Sequence, residues 1–207
     1  MKVTLLIPVL NEIVGLKEIM PEIKPEWYDQ ILFIDGQSSD GTLEYIKEKG
    51  WPVVVQQKKG MRNAYMEALP YIKGDVILTF SPDGNSIAEL IPECIKKMKE
   101  GYDMVIVSRY AEGAKSDDDD RMTSFGNWMF TTLIGLLHGF PYKDAMVIYR
   151  AYKKELIYDL ELDKDKWYDF EEKLFKTNIS WEPLLSIRAA KKKLKIAEIP
   201  GDEPASL

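Results

Sequence analysis

Five short apolar runs, each closed by a polar turn, constrain this chain more than any other feature. They cover residues 3–7, 31–34, 53–56, 76–80 and 104–107. Each is too short for a buried helix and rich in Val, Ile and Leu, without polar alternation. That pattern predicts strands covered on both faces. Between them lie stretches with apolar residues at helical spacing, expected as helices over 11–20, 40–49, 64–72 and 87–100. Pro8 is expected to end the first strand, and Pro21, Gly50 and Gly101 to end helices. The β-α alternation predicts an α/β fold, a mostly parallel sheet with helices on both faces.

After residue 107 the rhythm changes. Residues 112–120 are polar and end in Asp117-Asp118-Asp119-Asp120, a solvated run. Residues 125–140 are rich in Trp, Phe, Met and Leu and nearly uncharged. A short strand is expected over 144–149, helices over 153–159, 167–176 and 183–193, a last strand over 195–199, and a frayed tail over 201–207. With 207 residues and no repeat or low-complexity linker, a single domain spanning 1–207 is the simplest description.

Composition narrows function. The net charge of −6 argues against a broad nucleic-acid surface. One cysteine, Cys94, and one histidine, His138, exclude an internal disulfide, a zinc cluster and a multi-histidine centre. Met1-Lys2 leads straight into the first strand, so no signal peptide is expected. No apolar run reaches the ~18 residues of a bilayer span. A cytoplasmic place follows, with a peripheral position at the inner membrane face as the alternative.

Polar groups recur at the carboxyl ends of the expected strands, where open α/β sheets bind ligands. They are Asn11 and Glu12, Asp35, and Asp83 with Asn85. Asp35 suits a base N–H or a ribose hydroxyl; equally, it caps the turn that follows. Asp83 and Asn85 offer two hard oxygens suited to Mg²⁺ or Mn²⁺; the plain alternative is an Asx turn. Lys59 and Arg62 bring positive charge to the loop after the third strand.

The segments Ile7-Pro8-Val9-Leu10-Asn11-Glu12, Asp35-Gly36-Gln37-Ser38-Ser39-Asp40-Gly41-Thr42, Lys59-Gly60 with Gly74-Asp75, and Ser81-Pro82-Asp83 resemble the ordered motifs of family 2 glycosyltransferases. The likeness continues through Ser108-Arg109-Tyr110, Arg121, Asp144 and Glu198-Ile199-Pro200, and the chain is similar to the polyprenyl-phosphate sugar transferases of the dolichyl-phosphate mannose synthase type. The resemblance implies a GT-A fold and inverting transfer from a UDP- or GDP-sugar to a hydroxyl or a polyprenyl phosphate. It implies a nucleotide-sugar-binding half over 1–107 and an acceptor side over 108–200. Pro8, Asn11, Glu12 and Asp35 would line the nucleotide pocket. Lys59, Arg62 and Arg109 would serve the rest of the donor. The metal-binding Asp-x-Asp falls on Ser81-Pro82-Asp83, so its first carboxylate is a serine here. Asp83 would touch Mg²⁺ or Mn²⁺, and Asn85 stands where such transferases often carry a Gln.

Transfer to a hydroxyl needs a base. By the same resemblance that base is Glu182, in Ser180-Trp181-Glu182-Pro183, with Asp144 as its rival. As ordinary structure, Glu182 begins a helix and Asp144 pairs with an Arg. A phosphate acceptor would need no base. Residues 125–140 resemble an amphipathic membrane-contact segment; a buried core helix or a homodimer contact is preferred here, given the neighbouring acidic run. Two other functions compete. A sugar-phosphate nucleotidyltransferase lacks support, because no Gly-rich loop with Arg follows the first strand. A non-catalytic nucleotide-binding relative is favoured only by Ser81.

Overall fold

The computed structural model of the chain describes residues 1–116, 121–168, 180–205 and 207. Seven strands form one sheet: β1 Val3–Val9, β2 Gln30–Asp35, β3 Val53–Val55, β4 Val76–Thr79, β5 Met104–Ser108, β6 Arg150–Lys153 and β7 Ile196–Pro200. Their order is β3-β2-β1-β4-β6-β5-β7. β1 pairs in parallel with β2 and β4, β2 with β3, and β5 with β7. β6 runs antiparallel to both of its neighbours. The helices are α1 Ile13–Ile19, α2 Thr42–Glu48, α3 Met61–Ala68, α4 Ile91–Lys99, α5 Arg121–His138, α6 Leu156–Asp159 and α7 Glu182–Lys191.

The period of two in each strand divides the core into two layers. Leu6, Leu32, Ile34, Ile77 and Ile106 face Ala64 and Tyr65 of α3 and Leu185 and Ala189 of α7. Leu5, Ile7, Phe33, Leu78 and Val105 face Leu16 of α1, Ile46 of α2 and Cys94 and Met98 of α4. Covering on both faces is why these strands read as apolar runs.

Four expectations are corrected. Pro8 does not end β1; it stays in register with Ile34, and the strand runs to Val9. The β4 ladder beside β1 stops at the Leu6–Thr79 pair, and Phe80 N–H donates to Leu6 O. Pro8 has the same strand orientation as Leu6, two residues on, where the neighbouring ladder has ended. Its missing N–H therefore breaks no ladder bond. The strand expected over 144–149 is instead β6, Arg150–Lys153, and only Leu156–Asp159 of 153–159 is helical. Arg150 opens β6 wholly buried, and its guanidinium donates to Val147 O, to Ala145 O at 3.3 Å and to Ser186 Oγ at 3.0 Å.

The third correction concerns 125–140. It is not a core helix: α5 buries Asn127, Thr131 and Ile134 but exposes Phe125, Trp128, Met129, Leu133, Leu136 and Leu137. The fourth concerns the tail, which is tied down: Glu203 N–H donates to Lys115 O at 2.8 Å and Leu207 N–H to Asp83 O at 2.9 Å. The Asp117–Asp120 run, most of the helix expected over 167–176, and the Arg121 side chain lie outside the described residues.

Candidate functional site

The carboxyl ends of β1, β2 and β4 open onto a cavity of about 620 Å³ lined by Pro8, Glu12, Gly36, Gln37, Lys58, Lys59, Ser81 and Asp83, among others. A second cavity of about 310 Å³ shares Ser81, Asp83 and Ile148 with it and adds Asn85, Arg109 and the segment Gly201-Asp202-Glu203.

The stretch 35–42 builds the first cavity more than it lines it. Asp35 is fully buried, and its Oδ2 accepts the N–H groups of Gln37 at 3.0 Å and Ser38 at 3.2 Å. That is the turn-capping alternative. The rest of the turn holds the β1–α1 loop. Ser38 Oγ accepts Asn11 N–H at 2.9 Å, Thr42 Oγ1 accepts Glu12 N–H at 2.9 Å, and Asp40 Oδ2 accepts Ile13 N–H at 3.1 Å. Asp40 sits below the usual carboxylate range: burial works against its charge, and hydrogen bonds from Thr42 and Ile13 outweigh it. Asn11 takes a left-handed φ of 59° and accepts Ser39 N–H at 2.8 Å, so its side chain braces the two loops.

Glu12 and Asp83 face the same opening. Burial first, then the charges of Asp83 and Asp40, push the Glu12 carboxyl up. The Asp83 loop is pressed close to α1: a Cβ on Gly15 would lie 1.8 Å from Pro82 O. Within that loop Ser81 Oγ donates to Asp83 Oδ2 at 2.7 Å, and Asn85 N–H donates to Asp83 Oδ1 at 3.0 Å. The basic loop is shaped by Gln56, whose Nε2 donates to Lys58 O and to Gly60 O, the latter at 2.8 Å. Gln56 and Lys58 escaped the sequence reading, although Lys58 stands beside Lys59. Arg62 does not line the cavity; it is buried, with its guanidinium 4.4 Å from the centre of the Tyr168 ring.

Arg109 follows β5 and lines the second cavity. Its Nε lies 2.7 Å from Asp144 Oδ2 and its Nη2 3.3 Å from Oδ1. Burial disfavours the guanidinium charge, but Asp144 and then Glu203 raise its pKa. Asp144 is in turn set by β7: Glu198 accepts the N–H groups of Lys143 at 3.0 Å and Asp144 at 2.8 Å. Burial pushes the Glu198 carboxyl up despite those bonds.

The fold places both expected bases in closed surroundings. Glu182 is 1% exposed and lies in the core with Tyr65, Tyr152 and Trp181. Burial raises its pKa against the opposing Arg150 charge. It lines neither cavity. Asp144 is 0% exposed and engaged by Arg109. Glu203, which meets Arg109 at 3.2 Å, was missed because nothing in a terminal Gly-Asp-Glu-Pro run signals it.

A glycosyl transferase family 2 model matches residues 4–161. Glycosyltransferase AglJ of Haloferax volcanii is 31% identical over 167 residues, covering 79% of this chain and 54% of that protein. Dolichyl-phosphate hexose transferase of the same organism is 30% identical, covering 83% and 68%. Dolichol-phosphate mannosyltransferase of Pyrococcus furiosus is 27% identical, covering 97% and 56%. The chain thus spans between 54% and 68% of these relatives' lengths. Among solved structures, glucosyl-3-phosphoglycerate synthase from Mycobacterium tuberculosis in complex with Mn²⁺, UDP and glucosyl-3-phosphoglycerate superposes with a TM-score of 0.66 at 16% identity, covering 100% of this chain and 72% of that one. The sheet described above is that of the GT-A fold, and the chain belongs to glycosyl transferase family 2.

Proposed function

We propose that this chain moves a hexose from a nucleoside-diphosphate donor in the first cavity to a polyprenyl phosphate in the second, with inversion. The observation that carries the reading is the adjacency of the two cavities through Ser81, Asp83 and Ile148, one beside Lys58 and Lys59 and the other beside Arg109. Gly36 and Gln37 would meet the nucleoside and the two lysines the diphosphate. Arg109, fixed from behind by Asp144, presents a guanidinium edge to an incoming phosphate.

The closure of Glu182 and Asp144 supports a phosphate acceptor over a hydroxyl. An ionised phosphate oxygen attacks without losing a proton, so no exposed base is required. The relatives named for dolichyl-phosphate transfer point the same way.

Among the described residues no cluster of three or more His, Cys, Asp or Glu could hold a metal ion. The donor set nevertheless fits Mg²⁺ or Mn²⁺ completed by substrate oxygens. Asp83 lines both cavities, and its charge helps to push Glu12 up, a place where added positive charge is favourable. Asp83 and Asn85 would hold the cation, which when bound offsets charge on the leaving diphosphate.

Among the described residues no helix is long and apolar enough to cross a membrane. The exposed face of α5 is suited to lie in a lipid interface, with Trp128 at headgroup depth. Between α5 and residues 141–143 runs a groove of about 670 Å³ lined by Tyr110, Trp128, Leu136 and Tyr142. Tyr110 adjoins Arg109, so a lipid tail could run from one cavity into this groove.

The test is a panel of UDP- and GDP-hexoses with Mn²⁺ and a short-chain polyprenyl phosphate, assayed for glycolipid and for released nucleoside diphosphate. Glycolipid formation that Asp83→Asn lowers by about 10²-fold or more is the expected result. A nucleotide that binds with no transfer to any phosphate acceptor would overturn the reading and favour a non-catalytic relative.

A further inference from the structure

The segment after β7 closes one side of the second cavity. Gly201 N–H donates to Ser108 O at 3.2 Å, and Lys115 N–H donates to Asp202 Oδ1 at 2.8 Å. Glu203 Oε1 lies 3.2 Å from Arg109 Nη1, and its Oε2 accepts the Ser116 hydroxyl. Further on, Leu207 lies over Gly84 of the Asp83 loop, where a Cβ would come within 2.6 Å of Leu207 Cγ. One short segment therefore touches both the guanidinium and the loop that present charge to the cavity.

The guanidinium edge is divided between two carboxylates. Asp144 takes Nε and Nη2 from the buried side, and Glu203 takes Nη1 from the cavity side. The two partners differ in access. The Asp144 side chain is 0% exposed, whereas Glu203 is 13% exposed and lines the cavity. Asp144 is closed off from the cavity, whereas Glu203 faces it. An Arg edge that accepts a carboxylate accepts a phosphate oxygen by the same geometry, and more strongly, since the phosphate carries more charge.

We propose that Glu203 occupies the seat on Arg109 that receives a substrate phosphoryl group, and that it sets specificity by having to be displaced. This rests on the two-cavity reading above. A phosphoryl group competes with the carboxylate for Nη1; a neutral hydroxyl compound does not. Displacement also frees the segment from Ser116, so entry of a phosphoryl group loosens residues 201–205. The group could come from a prenyl phosphate or from the donor's own diphosphate.

The experiment uses the full chain, parent and Glu203→Gln, titrated calorimetrically with geranyl phosphate, geraniol, UDP and GDP. Backbone hydrogen exchange of 201–205 is followed in the parent. The Gln variant keeps the size of Glu203 but removes the competing charge. It is expected to bind geranyl phosphate about tenfold more tightly, with geraniol and the nucleotides unchanged. Exchange in 201–205 should rise when the parent is saturated with geranyl phosphate. Tightening for UDP and GDP alone supports displacement of Glu203 but assigns the seat to the donor, which overturns the acceptor reading and not this one. Unchanged affinity for every phosphoryl ligand, or undiminished protection of 201–205 in the saturated parent, overturns the proposal. The exchange measurement decides the matter if the variant folds poorly.

Discussion

Ser81 and Asp83 are joined by a hydrogen bond of 2.7 Å from Oγ to Oδ2, in the loop where the family motif has two carboxylates. The serine satisfies one oxygen of Asp83 without adding charge. Replacing it by aspartate puts two carboxylates within hydrogen-bond reach. Ser81→Asp is expected to lose about 1–2 kcal/mol of stability in a chelator, from like-charge repulsion. Mn²⁺ should return that loss and raise the melting temperature more than in the parent. An equal response to Mn²⁺ in the two proteins would remove Asp83 from the cation site.

Gly15 sets how closely the Asp83 loop approaches α1. A Cβ there would meet Pro82 O at 1.8 Å, a backbone atom that cannot turn aside. Gly15→Ala should lower stability by roughly 1–3 kcal/mol, the usual range for overpacking. It should also weaken nucleotide binding, since Asp83 moves with the loop. Unaltered UDP and GDP affinity in a destabilised variant would show that loop position does not matter to the donor.

Glu182 offers a pH test. Burial raises its folded-state pKa above the unfolded value. The stability contribution of such a group is fully present below the ordinary glutamate pKa and is lost as pH rises through the raised one. Glu182→Gln cannot ionise. The melting-temperature difference, variant minus parent, should therefore grow from the ordinary glutamate range upward and level off above the raised value. Transfer activity should be retained, because the side chain lines neither cavity. Loss of turnover by orders of magnitude, in a folded Glu182→Gln variant, would restore its role as base.

Arg150 is wholly buried and satisfies the carbonyls of Val147 and Ala145, while its charge favours the ionised Glu182 carboxylate against burial. Arg150→Met should cost about 3–5 kcal/mol, the range for leaving a buried charge uncompensated. Adding Glu182→Gln should recover part of that loss, since the two sites couple. Chemical denaturation of the single and double variants measures it; strict additivity would mean that the charges do not interact.

The exposed apolar face of α5 predicts surface behaviour. Trp128→Ser with Leu136→Ser should change stability by less than about 1 kcal/mol in total, as both side chains are more than half exposed. Co-sedimentation with phospholipid vesicles should fall several-fold. Equal sedimentation of parent and variant would take this helix away from the lipid.

Much of the frame was legible in the residues, because its causes are local. Two-sided burial forces apolar runs, so 31–34 and 76–80 read as strands, and the polar residues that close them fall on one rim. The same logic misread Pro8 and placed the sixth strand before Arg150 instead of from it. Whether a proline lacks a needed partner, or an arginine finds enough of them, depends on the neighbouring strand and on Ser186 of a distant helix. The same holds for α5, since composition does not say which face of an apolar helix meets protein.

For the site, the residue types and their order were set by the sequence alone: strand-end carboxylates, a basic loop and an arginine after the fifth strand. Only the folded chain decided which of them face open space. Asp35 turns inward to hold its own loop, Glu182 is sealed beneath Tyr65 and Trp181, and Glu203 arrives beside Arg109 from 94 residues away. Accessibility and partnership are properties of the packing between distant segments, and a one-dimensional pattern does not encode them.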